Sequence, residues 1–140
     1  MQDEFFSIGA LAKNANVNIQ TIRYYERIQI LTPKLRRAGK QTRYYNHESL
    51  ATLLFIRNSQ QLGFNLGEIK QLLELRSREE NRCLPVHQQA LVKLEDLRAK
   101  IDDLRRMEQA IGLLVAKCEG VSKLNDCPII GGITAMAVAD

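Results

Sequence analysis

Residues 83–118 read CLPVHQQALVKLEDLRAKIDDLRRMEQAIGLLVAKC, and the spacing inside this run decides the architecture. Leu91, Leu94, Leu97, Ile101, Leu104, Ile111 and Val115 recur by threes and fours. That is the period of one apolar stripe on a helix, and near-heptad spacing turns such a stripe toward a partner helix. Pro85 falls in the first turn, where the missing N–H would have had no intrahelical acceptor. The next proline is Pro128, and the first glycine of the run is Gly112. The pattern predicts one uninterrupted helix of about 33 residues, far longer than a typical globular helix.

At 1.5 Å rise per residue such a helix holds Cys83 and Cys118 roughly 50 Å apart, so they cannot share a ligand within one chain. In an antiparallel pair of copies, Cys83 of one chain comes beside Cys118 of the other, with the crossing near Lys100 and Ile101. Cys118 also continues the apolar stripe and faces the partner. A third cysteine, Cys127, follows nine residues later, after a loop with Gly120, Ser122, Asn125 and Asp126. The three thiols therefore converge twice, and only in a dimer.

At 140 residues the chain accommodates one domain plus an extension. It has no apolar run long enough to span a bilayer and shows neither a signal peptide nor a transit signature, which predicts a cytoplasmic protein with no membrane partner. Three cysteines in that setting read as reduced thiols and not as a disulfide framework. The net charge of +4 is unevenly spread. Residues 13–57 hold nine Lys and Arg against Glu26 and Glu48, whereas residues 81–140 balance at eight of each sign. The N-terminal part is thus the part suited to a polyanion.

Ser7 caps a short helix through Asn14, with Ile8, Leu11 and Ala12 inward; Val17 enters the core, and Asn18 caps a second helix over 19–28. Two short helices joined by a tight turn, the second bearing Thr21, Arg23, Tyr24 and Arg27, form a helix-turn-helix candidate. Residues 34–45 then read as a basic, aromatic hairpin with its turn near residues 38–40. A hairpin after a helix-turn-helix is a wing, able to lay Arg43 and Tyr44 against phosphates. A plain solvated hairpin competes with this reading, but these cations have almost no acidic neighbours. Asn46 caps a third helix that stops at Gly63. Asn65 and Glu68 have capping-box spacing and open a fourth helix, to about Arg76. Residues 76–81 form a charged hinge, and part of the small, apolar tail at 131–140 is expected to lack order.

These residues resemble a known family. Phe6-Ser7-Ile8-Gly9-Ala10-Leu11-Ala12, Thr21-Ile22-Arg23-Tyr24-Tyr25-Glu26-Arg27, Thr42-Arg43-Tyr44-Tyr45 and Gln61-Leu62-Gly63-Phe64-Asn65-Leu66-Gly67-Glu68-Ile69 look like the MerR family of transcription regulators. The Thr-Ile-Arg-Tyr-Tyr-Glu block is the most specific of them, and the match covers about residues 5–130. The pattern of one cysteine at each end of the long helix, followed by Cys-Pro-Ile-Ile at residues 127–130, is similar to the mercury-responsive branch.

The resemblance implies a mainly α fold with a winged helix-turn-helix head, a long antiparallel coiled-coil dimerisation helix and a C-terminal metal-binding loop. The corresponding segments are a DNA-binding domain at 1–76, a hinge at 77–83, the dimerisation helix at 84–118, and the loop and tail at 119–140. It implies a homodimer on double-stranded promoter DNA that untwists the operator when metal binds, so that RNA polymerase can initiate. By motif, Thr21, Arg23, Tyr24, Arg43 and Tyr44 correspond to DNA contacts, and Cys83, Cys118 and Cys127 to metal ligands.

Three thiolates with no hard donor suit a soft ion, and mercury(II) is the expected effector, with lead(II) the nearest alternative. Zinc(II) wants a fourth ligand; His87, one turn after Cys83, could supply it or simply be exposed. The extra Cys and His residues expected of zinc(II) and cadmium(II) relatives are missing. A thiol redox sensor would use the same cysteines but respond to oxidant without metal. A multidrug-type relative needs an aromatic ligand domain, and residues 84–140 contain no Phe, Tyr or Trp. An enzyme is not expected, because there is no phosphate loop and neither His47 nor His87 has an evident catalytic partner. A bare coiled-coil adaptor leaves the basic wing unexplained.

Overall fold

A computed structural model describes residues 5–32, 35–36, 43–78, 82–120 and 123–137 of the chain. The chain divides into two compact units, Met1–Gln89 and Ala90–Asp140, each taken by itself below.

In the first unit, side-chain caps set the helix boundaries. Helix α1 (Ile8–Ala15) starts at Ser7, whose hydroxyl accepts from the Ala10 amide at 3.2 Å, and stops at Asn16 with φ 54°. Helix α2 (Ile19–Arg27) starts at Asn18, which accepts from the Thr21 amide at 2.7 Å. Strands β1 (Leu35–Arg36) and β2 (Arg43–Tyr44) pair antiparallel, Leu35 opposite Tyr44 and Arg36 opposite Arg43. The expected wing is therefore present; its turn at 38–40 lies outside the described residues. Phe6 lengthens the ladder through a bridge to Tyr45, with N···O distances of 2.6 and 2.9 Å.

Helix α3 (His47–Gln61) opens on a reciprocal box in which Asn46 accepts from the Ser49 amide at 3.0 Å and the Asn46 amide donates to the Ser49 hydroxyl at 3.3 Å. Gly63, with φ 92°, supplies the left-handed turn after its end. Helix α4 (Leu66–Arg76) opens on the Asn65–Glu68 box, at 2.9 and 2.8 Å. These four helices bury one core, with Leu11, Ala15, Ile22, Tyr45, Leu53, Ile56 and Ile69 fully enclosed. Truncating one of its Leu or Ile side chains to Ala costs about 2–5 kcal/mol.

Helix α5 (Leu84–Lys117) is a single helix of 34 residues. In the second unit its stripe stays open: Leu91, Leu94, Ile101, Leu104, Ile111 and Val115 are 41–62% exposed. Charges off the stripe are held along the helix, Lys100 on Asp96 at 3.0 Å and Arg106 on Asp103 at 3.2 Å. After Gly120 (φ 78°), a single turn of 3₁₀ helix (Leu124–Asp126) leads into α6 (Pro128–Thr134). Residues 131–134, read from sequence as the start of a small apolar tail, are thus helical; residues 138–140 lie outside the described residues. Two local causes explain the helix. Pro128 at its first position has φ preset, and Gly132 lets it lie against Leu114, whose side chain a Cβ there would overlap.

Candidate metal centre and nucleic-acid interface

The two cysteines of the second unit come together. Cys118 follows α5 directly, its amide bonded to the Val115 carbonyl at 3.1 Å. Cys127 stands at the cap position of α6, its carbonyl accepting from Gly131 at 3.0 Å. Both are half-buried free thiols, and the Cys118 thiol is near enough to the Cys127 sulfur to favour its thiolate. The Cys127 pKa is lowered first by the amide of Ile130, then by that of Ile129, against desolvation, with the Cys118 thiol adding to the effect. The two amides face the sulfur without meeting full capping geometry. A polarised thiol with a second thiol close by is the start of a soft-metal or dithiol-reagent site.

Cys83 lies at the opposite end of α5. It is exposed, and its carbonyl accepts the first helical bond, from the His87 amide at 2.9 Å. His87 is exposed as well. Among the described residues no group of three or more His, Cys, Asp or Glu side chains gathers within one chain.

The N-terminal unit presents the polar outer face of α2. Arg23, Tyr24 and Arg27 are exposed, and the Arg27 guanidinium lies over the Tyr24 ring at 5.9 Å. Thr21 is half-buried, and its hydroxyl donates to Asn18 at 2.8 Å, so its lone pairs remain the side open to a donor. Arg43 and Tyr44 form β2, and Tyr44 is half-buried.

Three supports of this face were not read from sequence. The Tyr45 hydroxyl donates to Glu26, tying the wing strand to α2. The Tyr25 hydroxyl donates to Gln60 at 2.9 Å, and burial raises its pKa. Arg57, counted above with the basic excess, donates to the Ala15 carbonyl at 3.3 Å at the end of α1, where a cation complements the helix dipole. The first was foreshadowed by strand alternation, which sends neighbours Tyr44 and Tyr45 to opposite faces.

Comparison with known proteins gives the family of the chain. The model of the MerR helix-turn-helix family of regulatory proteins matches residues 6–75, and a second, described as MerR, DNA binding, matches residues 50–114. The mercuric resistance operon regulatory protein of Bacillus cereus is 39% identical over 125 residues, 89% of this chain and 94% of that protein. The transcription regulator PbrR691 from Ralstonia metallidurans CH34, solved in complex with lead(II), gives a TM-score of 0.81 at 33% identity, covering 91% of this chain and 98% of that one. The regulator MerR of Bacillus megaterium MB1, solved in complex with mercury(II), gives 0.68 at 36% identity, covering 92% and 99%.

A capped helix pair, a two-stranded wing and a long helix with an open apolar stripe define a DNA-binding transcription regulator, a class of regulators and not of enzymes. The chain belongs to the MerR family of helix-turn-helix regulatory proteins. Among the described residues no helix is long and apolar enough to cross a membrane.

Proposed function

We propose that this regulator is a cytoplasmic, mercury(II)-responsive switch that binds a promoter operator as an antiparallel homodimer. The single observation that carries this reading is the meeting of the Cys118 and Cys127 thiols at one end of a 34-residue helix whose other end carries Cys83. One chain offers two neighbouring sulfurs. The third, Cys83, arrives from a second copy whose α5 runs the other way. Such a donor set fits a thiophilic ion. The open stripe of α5 supports the same pairing, since it has the period of a helix seam.

Thr21, Arg23 and Tyr24 on α2, with Arg43 and Tyr44 on β2, are the DNA contacts of this reading. Tyr45 and Glu26 hold strand and helix in a fixed relation, so the five residues act as one surface. Cys83, Cys118 and Cys127 would hold mercury(II), which would supply soft, strong bonding to thiolates. Cys83 closes the hinge segment at 77–83, while Cys118 follows α5 and Cys127 caps α6, so closure would bias the orientation of each head. An effector shifts that orientation only through its differential affinity for the two arrangements. Operator untwisting would then let RNA polymerase initiate. Lead(II) is the second reading, favoured by likeness to a lead(II)-bound regulator.

The test is titration of the reduced protein with mercury(II), lead(II), cadmium(II) and zinc(II) against a competing thiol, read by ultraviolet charge-transfer absorption. Three-sulfur absorption from mercury(II), retained against the competitor, is expected. Preferential retention of lead(II) selects the second reading, and retention of neither ion overturns both.

A further inference from the structure

One side chain on the outer face of α2 is polar, exposed and uncommitted. Gln20, Arg23, Tyr24 and Arg27 follow one another by threes and ones along a single face of the helix, and all four are exposed. Arg27 lies over the Tyr24 ring at 5.9 Å. With Arg23, that pair offers positive charge and aromatic surface to a polyanion. Gln20 adds no charge, and among the described residues its amide makes no hydrogen bond.

Its neighbours in the first turn cannot take its place. Asn18 Oδ1 accepts from both the amide and the hydroxyl of Thr21, at 2.7 and 2.8 Å, so both of its lone pairs serve the cap. The Thr21 hydroxyl has given its proton to the same cap. Ile19, 37% exposed, carries no polar side-chain atom. Gln20 is the only carboxamide residue within α2, and its donor and acceptor stand side by side. That pair complements adenine in the major groove, whose N7 accepts and whose N6 amino group donates. In a helix-turn-helix the N-terminal residues of the second helix reach the base edges, and Gln20 is the second residue of α2.

We infer that Gln20 reads one adenine in each half of the operator, Nε2 donating to N7 and Oε1 accepting from N6. This contact sets sequence preference, while the cations beside it set affinity. Phosphate contacts fix the position of a protein on a duplex and carry no sequence information directly. The inference rests on the DNA surface proposed above and names the side chain of α2 that distinguishes one base pair from another.

Selection of duplexes from a random-sequence DNA library by the reduced full chain, followed by affinity measurements on the selected duplex, tests it. The unaltered chain should prefer adenine over guanine at one position of each half-site by about ten-fold, within the range of a bidentate contact. Gln20→Ala should bind the two duplexes within about two-fold of each other, the discrimination having gone with the contact. Its salt dependence should match that of the unaltered chain, because no cation is removed. Gln20→Glu should move the preference at that position to cytosine, whose N4 amino group donates to a carboxylate. A Gln20→Ala chain that keeps every preference, or that weakens all duplexes alike, overturns the assignment. If Gln20→Ala loses helical circular dichroism, Gln20→Met replaces it under the same outcomes. An unaltered chain that enriches no sequence refutes the DNA surface itself, an outcome distinct from these.

Discussion

Cys118 and Cys127, nine residues apart in the chain, are neighbours in the fold, and the Cys118 thiol helps to lower the Cys127 pKa. Cys118 directly follows α5, the chain takes a left-handed turn at Gly120, and α6 starts at Pro128 with Cys127 as its cap. Two backbone devices thereby bring two sulfurs together within one chain, ahead of any ligand.

A pH dependence follows at Cys127. The Ile130 amide, foremost, lowers the Cys127 pKa from the ordinary 9.0. The thiolate is favoured by folding, so its stabilisation is complete above the unfolded value and fades as pH falls through the lowered folded one. Iodoacetamide should modify Cys127 of the reduced, metal-free protein with a midpoint below that of the same cysteine in urea. Equal midpoints would remove the amide effect.

Gly132 controls the same apposition from α6, since a side chain there must displace Leu114. Gly132→Leu should weaken capture of a phenylarsenical, a reagent that bridges two neighbouring thiols, by several-fold. Adding Leu114→Ala should restore capture by reopening the space. Full capture by the single variant would show that α6 does not position Cys127.

In the head, Tyr45→Phe removes the donor to Glu26 and leaves a part-buried carboxylate short of one partner. A loss of about 1–3 kcal/mol in folding stability is expected, read by urea denaturation, together with weaker operator binding. An unchanged urea midpoint would mean that this link contributes nothing to the wing.

Arg23 is exposed on α2 and stands in the proposed DNA surface. Arg23→Ala should weaken operator binding in both metal-free and metal-loaded states. If the guanidinium meets a phosphate, the salt dependence should fall by about one counterion. Loss of the metal response alone, with operator affinity intact, would exclude Arg23 as a contact.

Local features were legible in the sequence, and long-range ones were less so. Ser7, Asn18, Asn46 and Asn65 cap the helices their spacing announces, because a cap needs only the amides two or three residues ahead. The period of α5 runs through its whole length for a similar reason. Helix α6 was missed, because adjacent glycines argue against a helix until Leu114 is seen occupying the space Gly132 leaves. The Tyr45–Glu26 and Arg57–Ala15 links join residues far apart in sequence, which only the folded core brings within reach. The basic excess at residues 13–57 was real as a count, yet at least Arg57 is bonded to a helix end.

Complementation between two defective chains tests most directly whether the three sulfurs come from two protomers. One chain carries Cys83→Ser; the other carries Cys118→Ser and Cys127→Ser. Neither homodimer can assemble a three-sulfur site, but a mixed dimer regains one, from Cys83 of the second chain with Cys118 and Cys127 of the first. After unfolding and refolding the two together under reducing conditions, three-sulfur mercury(II) absorption should appear that neither chain gives alone. A mixture whose spectrum remains the plain average of the two separate chains, despite proven mixed dimers, would contradict a site shared between protomers.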